Sequence, residues 1–206
     1  MTRLPRLLLP AALLACVAAP IAAQGFSEAF TFLKAVRDGN AAKVMEIANN
    51  PSSNAINYQD PSTGEGALHI LVSDRNLQWV GFLLARGARP DIQNNDGTTP
   101  LGLAAQLGWT EGATQLLARG AQVDLANRRG ETPLILAVQS RHLPESQRLA
   151  MIRLLISRGA DPNRQDSLAG YSALDYARQD RRAPEIVRAL EEQPARAGAQ
   201  AVGPNP

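Results

Sequence analysis

The chain has 206 residues, 45% of them apolar and 4% aromatic, with 21 basic against 19 acidic side chains. That size suits one folded domain, and the near balance of charge excludes the basic footprint of a nucleic-acid binder. One cysteine, Cys16, excludes a disulfide framework.

Residues 1–23 read as a secretory signal peptide. Arg3 and Arg6 give a basic start. Leu7–Leu9 and Ala11–Ala19 form an apolar run broken by Pro10, and Pro20-Ile21-Ala22-Ala23 supplies small residues for cleavage before Gln24. The run is too short and too interrupted for a membrane span. The segment holds two arginines and no acid, so the remaining chain carries 19 charges of each sign. Export to the periplasm is the expected localisation. Leu13-Leu14-Ala15-Cys16 also resembles a lipobox, which would leave a lipid anchor at Cys16 and a protein tethered to the membrane. The plainer reading makes Cys16 one more apolar residue of the signal.

The folded unit is expected over residues 26–192, in units of about 27–60, 61–95, 96–128, 129–166 and 167–192. Ser27-Glu28 opens the first helix, and Gly39-Asn40 with Val44-Met45-Glu46-Ile47 reads as a weak first copy of a unit that recurs down the chain. Leu83–Ala88 and Leu116–Ala121 both read LLARGA, 33 residues apart, and Leu155–Ala160 reads LISRGA. Each comes after a helix start: Gly66-Ala67-Leu68-His69, Thr99-Pro100-Leu101 and Thr132-Pro133-Leu134. Self-similarity at this period marks a stacked-repeat protein.

Residues 96–127 are the clearest copy. Asp96-Gly97 is a turn, Thr99 caps a helix and Pro100 takes its first position. Leu101, Ala104 and Ala105 form the inward face, and Gly108 ends the helix. A second helix over 110–118 buries Ala113, Leu116 and Leu117 and stops at Gly120. Neither helix is long enough to hold alone in water, so each pair must lean on its neighbours. From Gly120 to Gly159 the step is 39 residues. The six extra residues fall within Ser140–Leu149, as either a tolerated surface loop or a partner contact. Residues 167–192 carry Ser172-Ala173-Leu174, a second helix opened by Pro184, and charges including Arg178, Asp180, Arg181, Arg182 and Arg188 that read as a solvated end face. The Gly-, Pro- and Ala-rich 193–206 reads as a disordered tail.

The run Gly97–Gln122 resembles the ankyrin repeat, whose signature is Gly-x-Thr-Pro-Leu-His-x-Ala-Ala followed by Leu-Leu-x-x-Gly-Ala-Asp. The other copies match in part: Leu68-His69 and Leu83-Leu84 in one, Thr132-Pro133-Leu134 and Gly159-Ala160-Asp161 in another. The resemblance implies an all-α solenoid of about five helix-turn-helix repeats in a right-handed stack, with β-turn fingers along one side. It also implies that His69 braces a turn. In this family partners usually lie in the groove made by the fingers and the exposed side of the first helices. Carried onto this chain, that groove offers Glu65, Asn95, Asp96, Thr98, Arg128, Arg129, Glu131 and Tyr171 from the fingers, with Gln106, Leu107 and Gln139 from the first helices.

A catalytic constellation is lacking. His69 and His142 are the two histidines, and neither has a metal ligand at suitable spacing. Nucleophile-elbow and phosphate-loop patterns are absent. Asn94-Asn95-Asp96-Gly97 lacks the acids of a calcium loop. Trp79 sits at a core phase; Trp109 either covers helix ends or marks a contact. The expectation is a monomeric, non-enzymatic scaffold with no cofactor and no metal, whose partner is another protein. Its specific form is a periplasmic adaptor, a lipid-anchored envelope component, or an inhibitor or protective partner of a secreted enzyme.

Overall fold

The computed structural model describes residues 21–50, 53–180 and 183–192, and the side chains from residue 28 onward within them. The expected leader up to residue 20, Cys16, Arg181, Arg182 and the tail 193–206 lie outside the described residues.

Among the described residues, ten α-helices come in five pairs: α1 (Ile21–Arg37) with α2 (Ala41–Ala48), α3 (Ala67–Ser73) with α4 (Leu77–Ala85), α5 (Pro100–Gln106) with α6 (Thr110–Ala118), α7 (Pro133–Gln139) with α8 (Glu145–Ser157), and α9 (Ala173–Gln179) with α10 (Pro184–Glu191). No strand is present among the described residues. The first helices α1, α3, α5, α7 and α9 stack in one layer, and α4, α6, α8 and α10 in a second. The fold is thus an all-α solenoid. The expected cleavage after Ala23 falls inside α1 and would remove its first three residues.

The inner helices α3, α5, α7 and α9 have seven residues each. Two turns cannot repay the cost of helix nucleation, so their order comes from burial. Leu101, Ala104, Ala105, Leu116, Leu134 and Leu155 are completely enclosed. Each inner helix is started by a side chain. Thr99 Oγ1 accepts from the Gly102 N–H at 3.0 Å, and Thr132 Oγ1 from Ile135 at 3.3 Å. Ser172 and Asp175 cap each other's backbone reciprocally. Gly66 has no side chain to offer at this place. There the ring of His69 takes over, its Nδ1 accepting the Gly66 N–H at 3.2 Å.

Neighbouring pairs are also tied by side-chain acceptors at a recurring position. Asn57 Oδ1 accepts from the Arg89 N–H at 2.8 Å, Asp91 Oδ1 from Gln122 at 2.9 Å, and Asp124 Oδ1 from Asp161 at 3.1 Å. Trp79 is half-buried, edge-on to Phe82 with ring centroids 4.9 Å apart. Trp109 is buried and lies over Gly112, where a β-carbon would meet the indole at 2.1 Å. Trp109 therefore packs inward and covers the start of α6.

The six-residue insertion is mostly helix. The α7–α8 turn has two residues more than the α5–α6 turn, and α8 has 13 residues against 9 in α6. The added helical turn buries Arg148. Its Nη2 donates to the Val138 carbonyl at 2.8 Å, and Nη1 and Nη2 both reach Asp180 Oδ2 at 3.0 Å. Asp180, expected on the solvated end face, instead keeps a side chain only 9% exposed and joins α8 to the last pair. The reason is geometric: the lengthened α8 carries a guanidinium to the C-terminal end of α9.

Removing one member of an enclosed ion pair strands the other. Arg141 lies 4.0 Å from the same carboxylate and offers partial cover. Arg148→Ala should therefore cost about 3 kcal/mol in urea unfolding. Arg148→Met combined with Asp180→Leu should recover most of that loss.

Candidate binding surface

Each inner helix is preceded by a tight turn, and the turns form a row of fingers. Every finger is closed by one backbone pair: Asp60 N–H to Glu65 O, Asn94 to Thr98, Asn127 to Glu131 and Asp166 to Tyr171, at 2.9–3.0 Å. The opening Asp or Asn also gathers backbone N–H groups with its side chain. Asn94 Oδ1 accepts from Asp96 and Thr98, Asn127 Oδ1 from Arg129 and Glu131, and Asp166 Oδ1 from Leu168, Ala169 and Gly170. Local Asx bonding of this kind is why these residues favour turns.

Successive fingers are joined backbone to backbone. Asn95 N–H donates to Thr63 O at 2.9 Å, Arg128 to Asp96 O at 3.0 Å, and Ser167 to Arg129 O at 2.8 Å. Gln59 and Gln93 reinforce the row, each amide nitrogen bridging its own finger's carbonyl and one in the next. From below, His69 Nε2 meets the Thr98 carbonyl at 2.9 Å. The tautomer is fixed, because a backbone N–H faces Nδ1 and a carbonyl faces Nε2. Burial pushes the His69 pKa down, with the Thr98 carbonyl and the charge of Glu65 opposing.

The last finger has its own electrostatics. Burial pushes the Asp166 carboxyl up, but the Tyr176 hydroxyl and three backbone N–H groups outweigh it and hold it below the usual range. The same hydrogen bond pushes the Tyr176 hydroxyl up to about 12. Tyr171 stacks edge-on against Tyr176, and Leu168 at the tip is 81% exposed.

The expected site residues separate by role. Asp96 and Arg128 are exposed on adjacent fingertips. Asn95 is exposed too, but its amide donates to Ser62 O at 2.8 Å. Thr98 and Glu131 are buried and brace the fingers from inside. Glu131 Oε2 accepts from Asn127 Nδ2 at 2.7 Å and from Arg129 Nε at 2.9 Å. Gln106, Leu107, Arg129 and Gln139 come together around a cavity of about 370 Å³ between α5 and α7. Glu65 and Tyr171 stand apart from them, on the first and last fingers. Sequence reasoning missed the bracing roles of Gln93 and Asn127. For Asn127 the signal was available: an Asp or Asn opens every finger at the repeat phase. Among the described residues, no group of His, Cys, Asp and Glu could hold a metal ion, and no helix is long and apolar enough to cross a membrane.

Gly97 has φ +78°, and a β-carbon there would lie 2.7 Å from the Arg128 nitrogen, on the finger-to-finger bond. Gly87 has a similar φ of +89° with open space around it. Gly87→Ala should cost about 1 kcal/mol for left-handed backbone alone. Gly97→Ala should cost roughly 3 kcal/mol by urea unfolding, because the ladder must also open. His69 gives a pH signature. The folded ring stays neutral below its unfolded pKa of 6.5, so the unfolded chain binds a proton that the folded chain refuses. Stability should be full above about pH 6.5 and fall on acidification by up to about 1.4 kcal/mol per pH unit. Asp60, Asp166 and Asp175 have folded pKa values below 3.8, so their contribution is lost only in stronger acid. Urea midpoints at about pH 8 and about pH 5 should differ for the parent and lose most of that difference in His69→Gln.

The chain matches a sequence model of ankyrin repeats, in three copies, over residues 32–127 and 68–166. A stretch of 62 residues is 42% identical to the nuclear factor NF-kappa-B p105 subunit of Gallus gallus. That stretch is 30% of this chain and spans 6% of the length of that relative. With its paired helices, capped inner row and linked fingers, the chain belongs to the ankyrin-repeat family.

Proposed function

We propose that this protein is a non-catalytic adaptor that captures a partner protein in the groove between its fingers and inner helices. Ankyrin repeats form a protein–protein interaction module. The observation that carries the reading here is the separation of tasks on the finger row. Buried Thr98 and Glu131 and the main-chain bonds between tips hold the backbone, while Asp96, Arg128 and Leu168 stand exposed on it. A rigid backbone displaying free side chains loses little entropy on association. Arginine and tyrosine, present as Arg128, Arg129 and Tyr171, are favoured interface anchors.

We place this adaptor in the periplasm, supported by the basic, apolar and small-residue order of residues 1–23. The lipobox-like Leu13-Leu14-Ala15-Cys16 favours a second placement, anchored by lipid at Cys16. The mass of the mature N-terminus separates them, since a start at Gln24 leaves no Cys16 to modify.

The groove is tested by affinity capture from the envelope fraction, with parent protein and the Arg128→Glu, Arg129→Glu double variant side by side. Circular dichroism confirms that both are folded. The partner bound by the parent should be depleted at least about tenfold from the variant, the effect of losing one or two charge-assisted contacts. Equal recovery of every partner rules out the finger groove.

A further inference from the structure

The cavity between α5 and α7 has a chemistry more specific than the groove around it. Leu103, Leu107 and Leu136 give it an apolar wall, with Leu103 and Leu107 left half-exposed. Gln106, Gln139, Ser140, His142 and Arg129 supply its polar groups, and none of the lining residues is an acid. At about 370 Å³ it has room for a large aliphatic or aromatic side chain.

Arg129 is held in a fixed pose. Its Nε and Nη2 both donate to Glu131 Oε2, at 2.9 and 2.8 Å, and Glu131 is itself buried and anchored by Asn127. The side chain as a whole remains 60% exposed, with Nη1 left for another acceptor. A second guanidinium adjoins the same wall: Arg75 Nη2 donates to the Leu107 carbonyl at 2.7 Å. Arg75 is the one non-glycine residue with positive φ among the described residues, at +52°. Its neighbour Asp74 lines a different cavity, beside Ala35 and Trp79. Among the residues lining the α5–α7 cavity, Arg129 is the one arginine or lysine, and none is a carboxylate.

We propose that this cavity anchors an acidic segment of the partner protein, taking one leucine-like side chain against Leu103, Leu107 and Leu136 while an adjacent carboxylate engages Arg129. The proposal rests on the groove reading above and narrows it to one place and one chemistry. Glu131 partly cancels the charge of Arg129, so apolar burial supplies the attraction and the carboxylate sets register. A free anion or a purely apolar peptide satisfies only half of the site. A basic segment would meet Arg75 and Arg129 with like charge.

The test is selection of random short peptides displayed on phage against the full chain, followed by fluorescence polarisation on the enriched sequences. These should pair a large apolar residue with aspartate or glutamate close by, and should bind more weakly as salt rises. Arg129→Gln removes the charge but keeps a donor for Glu131, and Gln106→Glu adds a like charge at the edge without touching that pair. Each should weaken binding about tenfold. Enrichment of basic or uncharged sequences, no enrichment, or acidic peptides indifferent to both variants would overturn the proposal. The groove reading would survive any of these if the natural partner still fails to bind the double finger variant. If that partner ignores the fingers, the groove reading itself falls.

Discussion

A backbone N–H on each of three fingertips donates to a carbonyl of the finger before it: Asn95 to Thr63, Arg128 to Asp96, Ser167 to Arg129. The donors sit on exposed residues, where a backbone amide would ordinarily bond to water. Here they bond to protein, and that constraint propagates inward. A β-carbon on Gly64, Gly97 or Gly130 would fall 2.5–2.7 Å from the donating nitrogen of the next finger, so these turns accept only glycine. Each finger also opens with Asp or Asn, which gathers the N–H groups left over inside the turn. The inner helices start where the fingers stop, so the spacing of the ladder becomes the spacing of the stack. A second set of ties, from Asn57, Asp91 and Asp124, fixes the exits of the outer helices in the same way. Order in one pair thus presupposes order in the next, the quasi-one-dimensional coupling of repeat proteins.

The last pair departs from this scheme and explains the broken period. Its first helix, α9, buries only Ala173 and Ala177. The added turn of α8 compensates by sending Arg148 across to Asp180, a polar lock where the other pairs use apolar packing. An enclosed ion pair of this kind specifies geometry more than it adds stability. At the other end of α9, Asp166 and Tyr176 form a second polar cluster beside Tyr171. A lengthened helix and a buried salt bridge are therefore parts of one local solution.

Much of this was legible in the sequence because the repeat phase converts residue type into position. Thr99, Pro100, Gly108 and Gly120 marked helix ends, and Leu101, Ala104, Ala105 and Leu116 marked the core, each at its place in the structure. What phase could not resolve was the direction of a polar side chain. Glu131 and Asp96 both belong to fingers, yet one is buried under Arg129 and the other is exposed. The two differ by the neighbours they meet across the turn. Arg148 and Asp180, 32 residues apart, carried no local sign that they would meet. The α5–α7 cavity was legible in part: Gln106, Leu107, Arg129 and Gln139 were expected at the groove, whereas Leu103 and Leu136, which complete its apolar wall, were not.

A stack whose fingers are locked by their own backbone presents a fixed template, and association then costs mainly the partner's freedom. Everything rests on the ladder being formed in the free protein. Native-state amide hydrogen exchange reads it directly at Asn95, Arg128 and Ser167. If the ladder holds, these three exposed amides exchange slowly, with protection approaching that of the α5 and α7 interiors. Exchange at the rate of unstructured peptide would show fingers that move independently, and the account of a pre-formed template would be wrong.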